Sequence, residues 1–325
     1  GTTIADKRVV RDGCIQAPAH LVRDGYIFGG WYKDPDCKQL FLFEETPVTA
    51  SCTLYAKWIT PVEYDLAPFN NKFATTFHIS TKEQLYGLAV AVKGIEGERA
   101  AMTFEGKKIC LDNDIFLNDT ADWKYWGKYS FAQQWTPIGD WYDEFCGDFD
   151  GQGHTVYGMY RSWEESWVEQ YVGLFGYVGN SSVAPTIERV GVDVSVLSVN
   201  NTNYVGLLVG DLRNGTVSQC YASGIINGNG TNHVGGLIGM LGGEYSGERG
   251  GAVINSYARL EGDVILYSTY ADVPELGGLV GVAKDDNSII TNCYAVGDAV
   301  TRYTMFSTAN NACGLCTSLD RKSVV

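Results

Sequence analysis

Charge is scarce in this 325-residue chain. Only 19% of its residues are Asp, Glu, Lys or Arg, and 38 acids against 24 bases leave a net charge of −14. That deficit of cations excludes nucleic acid as a partner, because phosphate binding needs clustered Lys and Arg. It also disfavours anionic membrane surfaces through long-range repulsion. Histidine is nearly absent: His20, His78, His154 and His233 lie far apart. No His-Glu-x-x-His, Gly-x-x-x-x-Gly-Lys or Gly-x-Ser-x-Gly motif occurs, so the residues of the common zinc, phosphate-loop and serine-hydrolase chemistries are missing. No metal or other cofactor is expected. No apolar run reaches the roughly 18 residues of a membrane-spanning helix, and residues 1–20 hold no signal-peptide core. Insertion of this segment into a membrane is not expected, and any secretion leader would precede Gly1.

Glycine and tyrosine are plentiful, with 39 Gly and 20 Tyr in a chain that is 45% hydrophobic. The glycines punctuate a repeat. Val234-Gly235-Gly236-Leu237-Ile238-Gly239 recurs as Val205-Gly206-Leu207-Leu208-Val209-Gly210 and Leu276-Gly277-Gly278-Leu279-Val280-Gly281. It is shortened at Val172-Gly173-Leu174-Phe175-Gly176 and decayed at Ala312-Cys313-Gly314-Leu315-Cys316-Thr317. A second phrase follows each complete copy: Gln219-Cys220-Tyr221-Ala222, Asn255-Ser256-Tyr257-Ala258 and Asn292-Cys293-Tyr294-Ala295. Such self-similarity marks a solenoid or a propeller. Each glycine-rich phrase is too short and too β-branched for a helix and reads as a buried strand, although which of its faces is buried stays open. The copies start 33, 29, 42 and 36 residues apart. A solenoid tolerates this unevenness through corner loops, and the polar stretch 242–251 within the longest interval reads as one. The decayed copy at 312–317 implies that the rod continues or is closed by a partner.

Nine cysteines at irregular spacing do not form a disulfide framework. Cys220 and Cys293 hold equivalent places with Ser256 between them. Two ladder steps separate the cysteines by about 10 Å, too far for a bridge, so free thiols are expected. Cys313 and Cys316 have the spacing of a redox or metal motif but lack a second ligand pair and read as a packed strand.

Residues 1–60 form a separate unit. Gly25, Tyr26, Phe28, Gly30-Trp31-Tyr32 and Leu54-Tyr55-Ala56-Lys57-Trp58 resemble the Listeria–Bacteroides repeat of bacterial surface proteins. The resemblance implies a small β-grasp-like domain whose opening strand lies before Gly1. Trp31 and Trp58 read as its packing centre, with a sugar-gripping pair as the alternative. Residues 61–75, with Pro61 and Pro68 and no clear period, read as a linker.

From residue 76 a solenoid is expected. Ser80-Thr81-Lys82-Glu83 has the form of a capping box and opens a short helix near 80–94. Leu85, Leu88 and Val92 share one face of it, and Gly94 closes it. Such a helix would cap the first coil. Residues 107–117 should add a strand or two. Trp135-Thr136-Pro137-Ile138-Gly139 and Phe149-Asp150-Gly151-Gln152-Gly153, taken with the repeated phrases, resemble the GLUG-motif family. These repeats are common in secreted or cell-wall proteins of bacteria, including adhesins and non-catalytic parts of IgA-specific metallopeptidases. The resemblance spans about residues 76–317. It implies an all-β, right-handed parallel β-helix over 76–325 and a surface role, with no chemistry of its own. Tyr221, Tyr257 and Tyr294 should stack, as should Gln219, Asn255 and Asn292.

Three constellations bear on function. Asp148, Asp150 and His154 offer a carboxylate pair with a nearby base, as a polysaccharide lyase or glycoside hydrolase would need, although 150–153 also reads as a structural turn. Asp112, Asp114, Asn118, Asp119 and Asp122 could collect calcium or form a solvated acidic edge. Six of the eight Trp lie between 123 and 167. Trp123, Trp126, Trp163 and Trp167, in polar loop-like sequence, either pack the first coils or form an exposed platform for a glycan or an extracellular protein. Trp135 reads as core, and His233, beside Val234 where the neighbouring repeat has Tyr204, takes a structural place. The expected function is non-catalytic, adhesin-like binding by a secreted or cell-surface protein, with further domains of a longer chain a possibility. The alternatives are a β-helix polysaccharide lyase or hydrolase and a structural stalk of a larger protein.

Overall fold

The computed structural model describes residues 6–18, 21–162, 170–200, 202–229, 233–243, 250–268, 275–284, 287–304 and 312–313. The chain divides into two compact units, residues 1–62 with 119–133, and residues 63–118 with 134–325.

The first unit carries an antiparallel pair, β1 (Ile27–Tyr32) and β2 (Tyr55–Ile59). Its register slips between Phe28 and Gly30, where Gly30 takes φ +117°. A Cβ there would lie 2.8 Å from the Tyr129 carbonyl oxygen, so glycine lets a distant segment lie beside β1. Gly30 bridges Ser130, and the Phe131 N–H donates to Gly29 O at 3.4 Å. Side chains fasten the same insert. The Tyr32 hydroxyl donates to Asp122 at 2.6 Å, Lys57 pairs with Asp119 at 3.1 Å, and Lys128 and the Tyr129 hydroxyl both donate to Glu45 at 2.7 Å. The unit expected over 1–60 is therefore completed by residues 119–133, and among its described residues β1 and β2 are the only strands. Phe28 and Tyr32 are buried, whereas Trp31 and Trp58 are half-buried and meet Phe28 edge-on at 5.9 and 5.6 Å. Phe28 thus packs between the two tryptophans, while Tyr32, Phe41 and Phe43 are buried more deeply, the last two meeting edge-on at 4.8 Å.

The second unit starts earlier than expected. Residues 63–75 belong to this unit rather than to a linker and are anchored by Phe69, which is 1% exposed and meets Phe77 and Phe104 at 5.7 Å. β3 (Thr76–Ile79) leads into α1 (Lys82–Lys93). The cap lies one residue later than the capping-box reading. Thr81 accepts from the Gln84 N–H, and the Gln84 amide oxygen accepts from the Ser80 N–H at 2.8 Å. Ser80 instead donates its hydroxyl to Asp112. Leu85, Leu88 and Val92 are buried, and Gly94, at φ +76°, closes the helix onto Val90 O.

β4 (Lys108–Leu111), β5 (Ile115–Phe116), β6 (Asp148–Asp150), β7 (Thr155–Tyr157) and β8 (Tyr160–Ser162) precede a regular series. Each later repeat contributes four strands. The first holds β9 (Tyr171–Val172), β10 (Phe175–Val178), β11 (Thr186–Glu188) and β12 (Gly191–Asn200). The second holds β13 (Tyr204–Gly206), β14 (Val209–Leu212), β15 (Gly215–Ser218) and β16 (Tyr221–Asn229). The third holds β17 (His233–Gly235), β18 (Ile238–Leu241), β19 (Gly251–Ile254) and β20 (Tyr257–Ser268). The fourth holds β21 (Glu275–Gly277), β22 (Val280–Ala283), β23 (Ile289–Thr291) and β24 (Tyr294–Thr304), and β25 (Ala312–Cys313) follows. Within the four repeats every pairing runs parallel, strand to the strand four later, and the earlier strands of the unit join two of the same sheets, giving the orders β10-β14-β18-β22, β9-β13-β17-β21-β25, β3-β4-β6-β11-β15-β19-β23 and β5-β7-β12-β16-β20-β24. A propeller blade would pair its strands within the repeat; here no pairing among the described strands does so. The decayed copy keeps register, Ala312 opposite Leu276 and Cys313 opposite Gly277. Of the loop expected within 242–251, residues 244–249 lie outside the described residues and Gly251 already begins β19.

The glycine-rich phrase is a bend between two strands, not one strand. Val205 and Gly206 end β13, Val209 and Gly210 start β14, and Leu207 and Leu208 at the corner are both fully buried. The bend removes the question of which face is buried, because it turns both leucines inward. It also explains the glycines. A Cβ at Gly235 would collide with the Ile238 carbonyl oxygen, and one at Gly239 would lie 2.5 Å from the Val205 nitrogen.

The second phrase is a corner with a repeated hydrogen bond. Arg189, Gln219, Asn255 and Asn292 all take φ between 50° and 55°, the left-handed conformation in which amide side chains are best tolerated. The next residue donates back to the carbonyl two positions earlier: Cys220 to Ser218 at 3.2 Å, Ser256 to Ile254 at 2.8 Å, Cys293 to Thr291 at 3.1 Å. Cys and Ser alternate there because either supplies a small donor. Both cysteines are free, and burial pushes the Cys220 thiol up to about 12. The tyrosines stack as expected, Tyr221 on Tyr257 at 5.2 Å and Tyr257 on Tyr294 at 4.9 Å, with rings within 8° of parallel. Of the amide column, Asn292 donates to Asn255 at 2.5 Å. Gly191 precedes Tyr221 in register, and the Tyr221 ring occupies the space of the missing Cβ. From there its hydroxyl reaches Thr155, one strand further, at 2.9 Å.

Candidate functional site

The sheet that begins with β3 and β4 presents its outward residues at period two. On β6, Phe149 points inward and is fully buried, while Asp148 and Asp150 face outward. Asp148 is exposed and accepts from the Thr186 N–H at 2.8 Å. Asp150 is only 3% exposed, because cations from both neighbouring strands cover it. Lys108 of β4 reaches it at 2.8 Å, and the Arg189 guanidinium, carried by the left-handed corner after β11, grips both of its oxygens. The Gln152 N–H adds a third donor at 2.9 Å. Glu188 shares the cations, lying 3.4 Å from Lys108 and 3.6 Å from Arg189.

Burial alone would raise the Asp150 carboxyl, but the hydrogen bonds from Arg189 and Lys108 outweigh it and hold the group near a pKa of about 2. A carboxylate held there is ionised throughout the physiological range and is not the proton donor that glycoside cleavage needs. His154 completes no set with these acids: its Nδ1 lies 3.2 Å from Asp114, whose carboxylate also accepts from the Thr155 N–H. The structure therefore divides Asp148, Asp150 and His154 among three separate partnerships. The sequence carries no sign of Arg189 as their organiser, because it lies 39 residues from Asp150 and meets it only through the strand register.

The acids considered for calcium are likewise distributed. Asp112 pairs with His78 at 2.8 Å, a contact that lowers its carboxyl, and Asp114 serves His154. Asn118 donates to Gly158 O at 2.9 Å. Asp119 and Asp122 pin the insert of the first unit. Among the described residues no group of three or more His, Cys, Asp or Glu could hold a metal ion.

The tryptophans of the expected platform do not share one environment. Trp126 is 7% exposed and packed inside the first unit, so it offers no face to a ligand. Its segment runs against β1, which the polar composition around it concealed. Trp123 is half-buried, with the Lys124 ammonium 5.3 Å from its ring. Trp163 and Trp167 lie outside the described residues, as does Cys316. Trp135 is core, 1% exposed, its indole N–H bonded to Leu174 O at 3.1 Å. In the second unit the exposed aromatics include Trp141 and Tyr142, at 46% and 87%, besides Tyr64, Phe73, Phe116 and Tyr294. Asp140 fixes their turn by accepting from the N–H groups of Tyr142 and Asp143. Trp141 meets Tyr177 edge-on at 5.6 Å, and the Arg213 guanidinium lies 5.3 Å from both rings. Behind them Tyr171, Tyr204 and His233 stack at 5.3 and 5.2 Å, and His233 closes on Glu275 at 2.8 Å. His233 thus has the structural place expected of it, in register with Tyr204.

A family model described as the Listeria-Bacteroides repeat domain matches residues 1–57. No curated protein matches the sequence. Among solved structures, a Bacteroides ovatus protein provisionally named an immunoglobulin A1 protease is similar at 19% identity and a TM-score of 0.49, over 70% of this chain and 59% of its own. The chain thus spans less than two thirds of that protein. No helix among the described residues is long and apolar enough to cross a membrane.

Proposed function

We propose that this protein is a secreted or cell-surface, adhesin-like binding protein, and that the ladder of its second unit is a right-handed parallel β-helix of the GLUG type that acts as a scaffold. The ligand class is a glycan or an extracellular protein. The match of residues 1–57 to a repeat of bacterial surface proteins supports the location. The uniform parallel pairing of strands four apart supports the β-helix.

The observation that carries the non-catalytic reading is the state of Asp150. A β-helix hydrolase or lyase keeps its acids and bases free to exchange protons, whereas Asp150 is consumed by Lys108, Arg189 and the Gln152 N–H. The rigid turn bearing Trp141 and Tyr142 offers what a binder needs, an apolar ring face with polar edges and little conformational entropy left to lose. The test sets the whole chain against arrays of glycans and extracellular-matrix proteins, and in parallel against a polysaccharide panel with reducing-end and unsaturated-product detection. Binding without turnover is expected. Turnover abolished by Asp150→Ala would overturn the proposal.

A further inference from the structure

The first unit contains a cleft of about 920 Å³, within the range of about 300–1,000 Å³ usual for small-molecule sites. Three kinds of residue line it. Phe43 and Trp31, whose indole is held edge-on to Phe28 at 5.9 Å, are apolar. Lys7, Arg8 and Arg11 are cationic and exposed, with Asp6 also in the lining. The segment 49–54 adds Thr49, Ser51 and Thr53, which are exposed as well. Lys7 donates to the Gln16 carbonyl at 3.0 Å, but neither Arg8 nor Arg11 has an ion-pair or hydrogen-bond partner among the described residues. Three cations against the single acid Asp6 make this lining positive in a chain whose net charge is −14.

We propose that this cleft binds an anionic saccharide. The inference deepens the reading of the protein as a binder and rests on it. An indole face packs against the C–H face of a sugar ring. Hydroxyl side chains exchange hydrogen bonds with sugar hydroxyls. A guanidinium forms paired hydrogen bonds with a carboxylate, which Lys would engage only as a point charge. An acidic peptide would satisfy Arg8 and Arg11 equally well but would leave the hydroxyl side chains and the indole face unused.

Isothermal titration of the whole chain with 3′-sialyllactose, a tetragalacturonate and a hyaluronan tetrasaccharide, each beside its carboxyl-reduced neutral counterpart, tests the assignment. At least one acidic sugar should bind tenfold or more tightly than its neutral form, and more weakly as salt rises. The double variant Arg8→Gln/Arg11→Gln, altered at exposed positions and checked for an unchanged melting curve, should lose about fivefold to twentyfold in affinity, the product of two exposed charge contacts. Trp31→Phe should weaken binding while preserving the fold. Absence of binding to all three acids at millimolar concentration would overturn the assignment, as would acid binding indifferent to Arg8 and Arg11. If the chain then still bound another glycan or protein on the arrays, the proposed function would stand and this site alone would fall. Turnover abolished by Asp150→Ala would remove the function instead.

Discussion

Replacing Asp150 by Asn is the sharpest test of the charged corner. Asn keeps the size of the side chain and an acceptor for the Gln152 N–H, but it strips the countercharge from Lys108 and Arg189. The carboxyl is depressed from 3.8 to about 2 in the folded protein. A depressed acid contributes stability that is fully present above its unfolded pKa and is lost as pH falls through the folded one. At 1.36 kcal/mol per pKa unit the contribution is about 2 kcal/mol at neutral pH, fading between about pH 4 and pH 2. The burial of the carboxylate, 5% exposed at the side chain, justifies taking that figure without a discount for solvent screening, although both cations are 40% or more exposed. Urea unfolding of wild type and Asp150→Asn, followed by circular dichroism, should show a gap of about 2 kcal/mol at pH 6 that closes by pH 2. Arg189→Gln should reproduce much of the loss, and the double variant should cost less than the two single changes combined. A gap that stays constant with pH, or additive single effects, would refute the ion cluster as the source.

Three further outcomes follow from the ladder and its cap. Tyr257→Ala removes the middle ring of the stack and should cost about 2–3 kcal/mol in urea unfolding, while Tyr257→Phe keeps both ring contacts and should stay within about 0.5 kcal/mol. Gly191→Ala drives a methyl into the Tyr221 ring and should destabilise by about 1–3 kcal/mol, a penalty that should largely vanish in a Tyr221→Ala background if the ring is the obstacle. Thr81→Ala should cost about 1 kcal/mol and Ser80→Ala clearly less, and the reverse order would restore the capping box opened by Ser80.

What could be read from the sequence, and what could not, divides along one physical line. Interactions between equivalent positions of successive repeats are written in the spacing itself. The Tyr221, Tyr257 and Tyr294 stack, the free Cys220 and Cys293, and the place of His233 beside Tyr204 were all legible, because parallel pairing turns equal sequence phase into spatial adjacency. The bend inside the glycine-rich phrase was not, since Leu207 and Leu208 look alike whether a strand buries both faces or a corner turns both inward. Only the close approach at Gly235 and Gly239 distinguishes the two. Interactions between unlike positions leave no periodic trace. Arg189 reaches Asp150 through two strands in register, and nothing near either residue announces the other. The same reasoning covers the insert 119–133. Its Trp, Lys and Asp residues have the composition of a solvated loop, and their burial and pairing depend on Gly30, some ninety positions earlier, having no side chain. Trp126 thereby changes from an apparent ligand platform into core, and Trp141, in a turn of similar composition, stays exposed because Asp140 fixes its backbone and Tyr177 and Arg213 support its ring. Exposure of an aromatic side chain in this protein is decided by what the surrounding backbone permits, so the proposed binding surface has to be sought where a rigid turn or an unpaired cation stands beside an accessible ring. Both the turn at Trp141 and the cleft at Trp31 meet that condition.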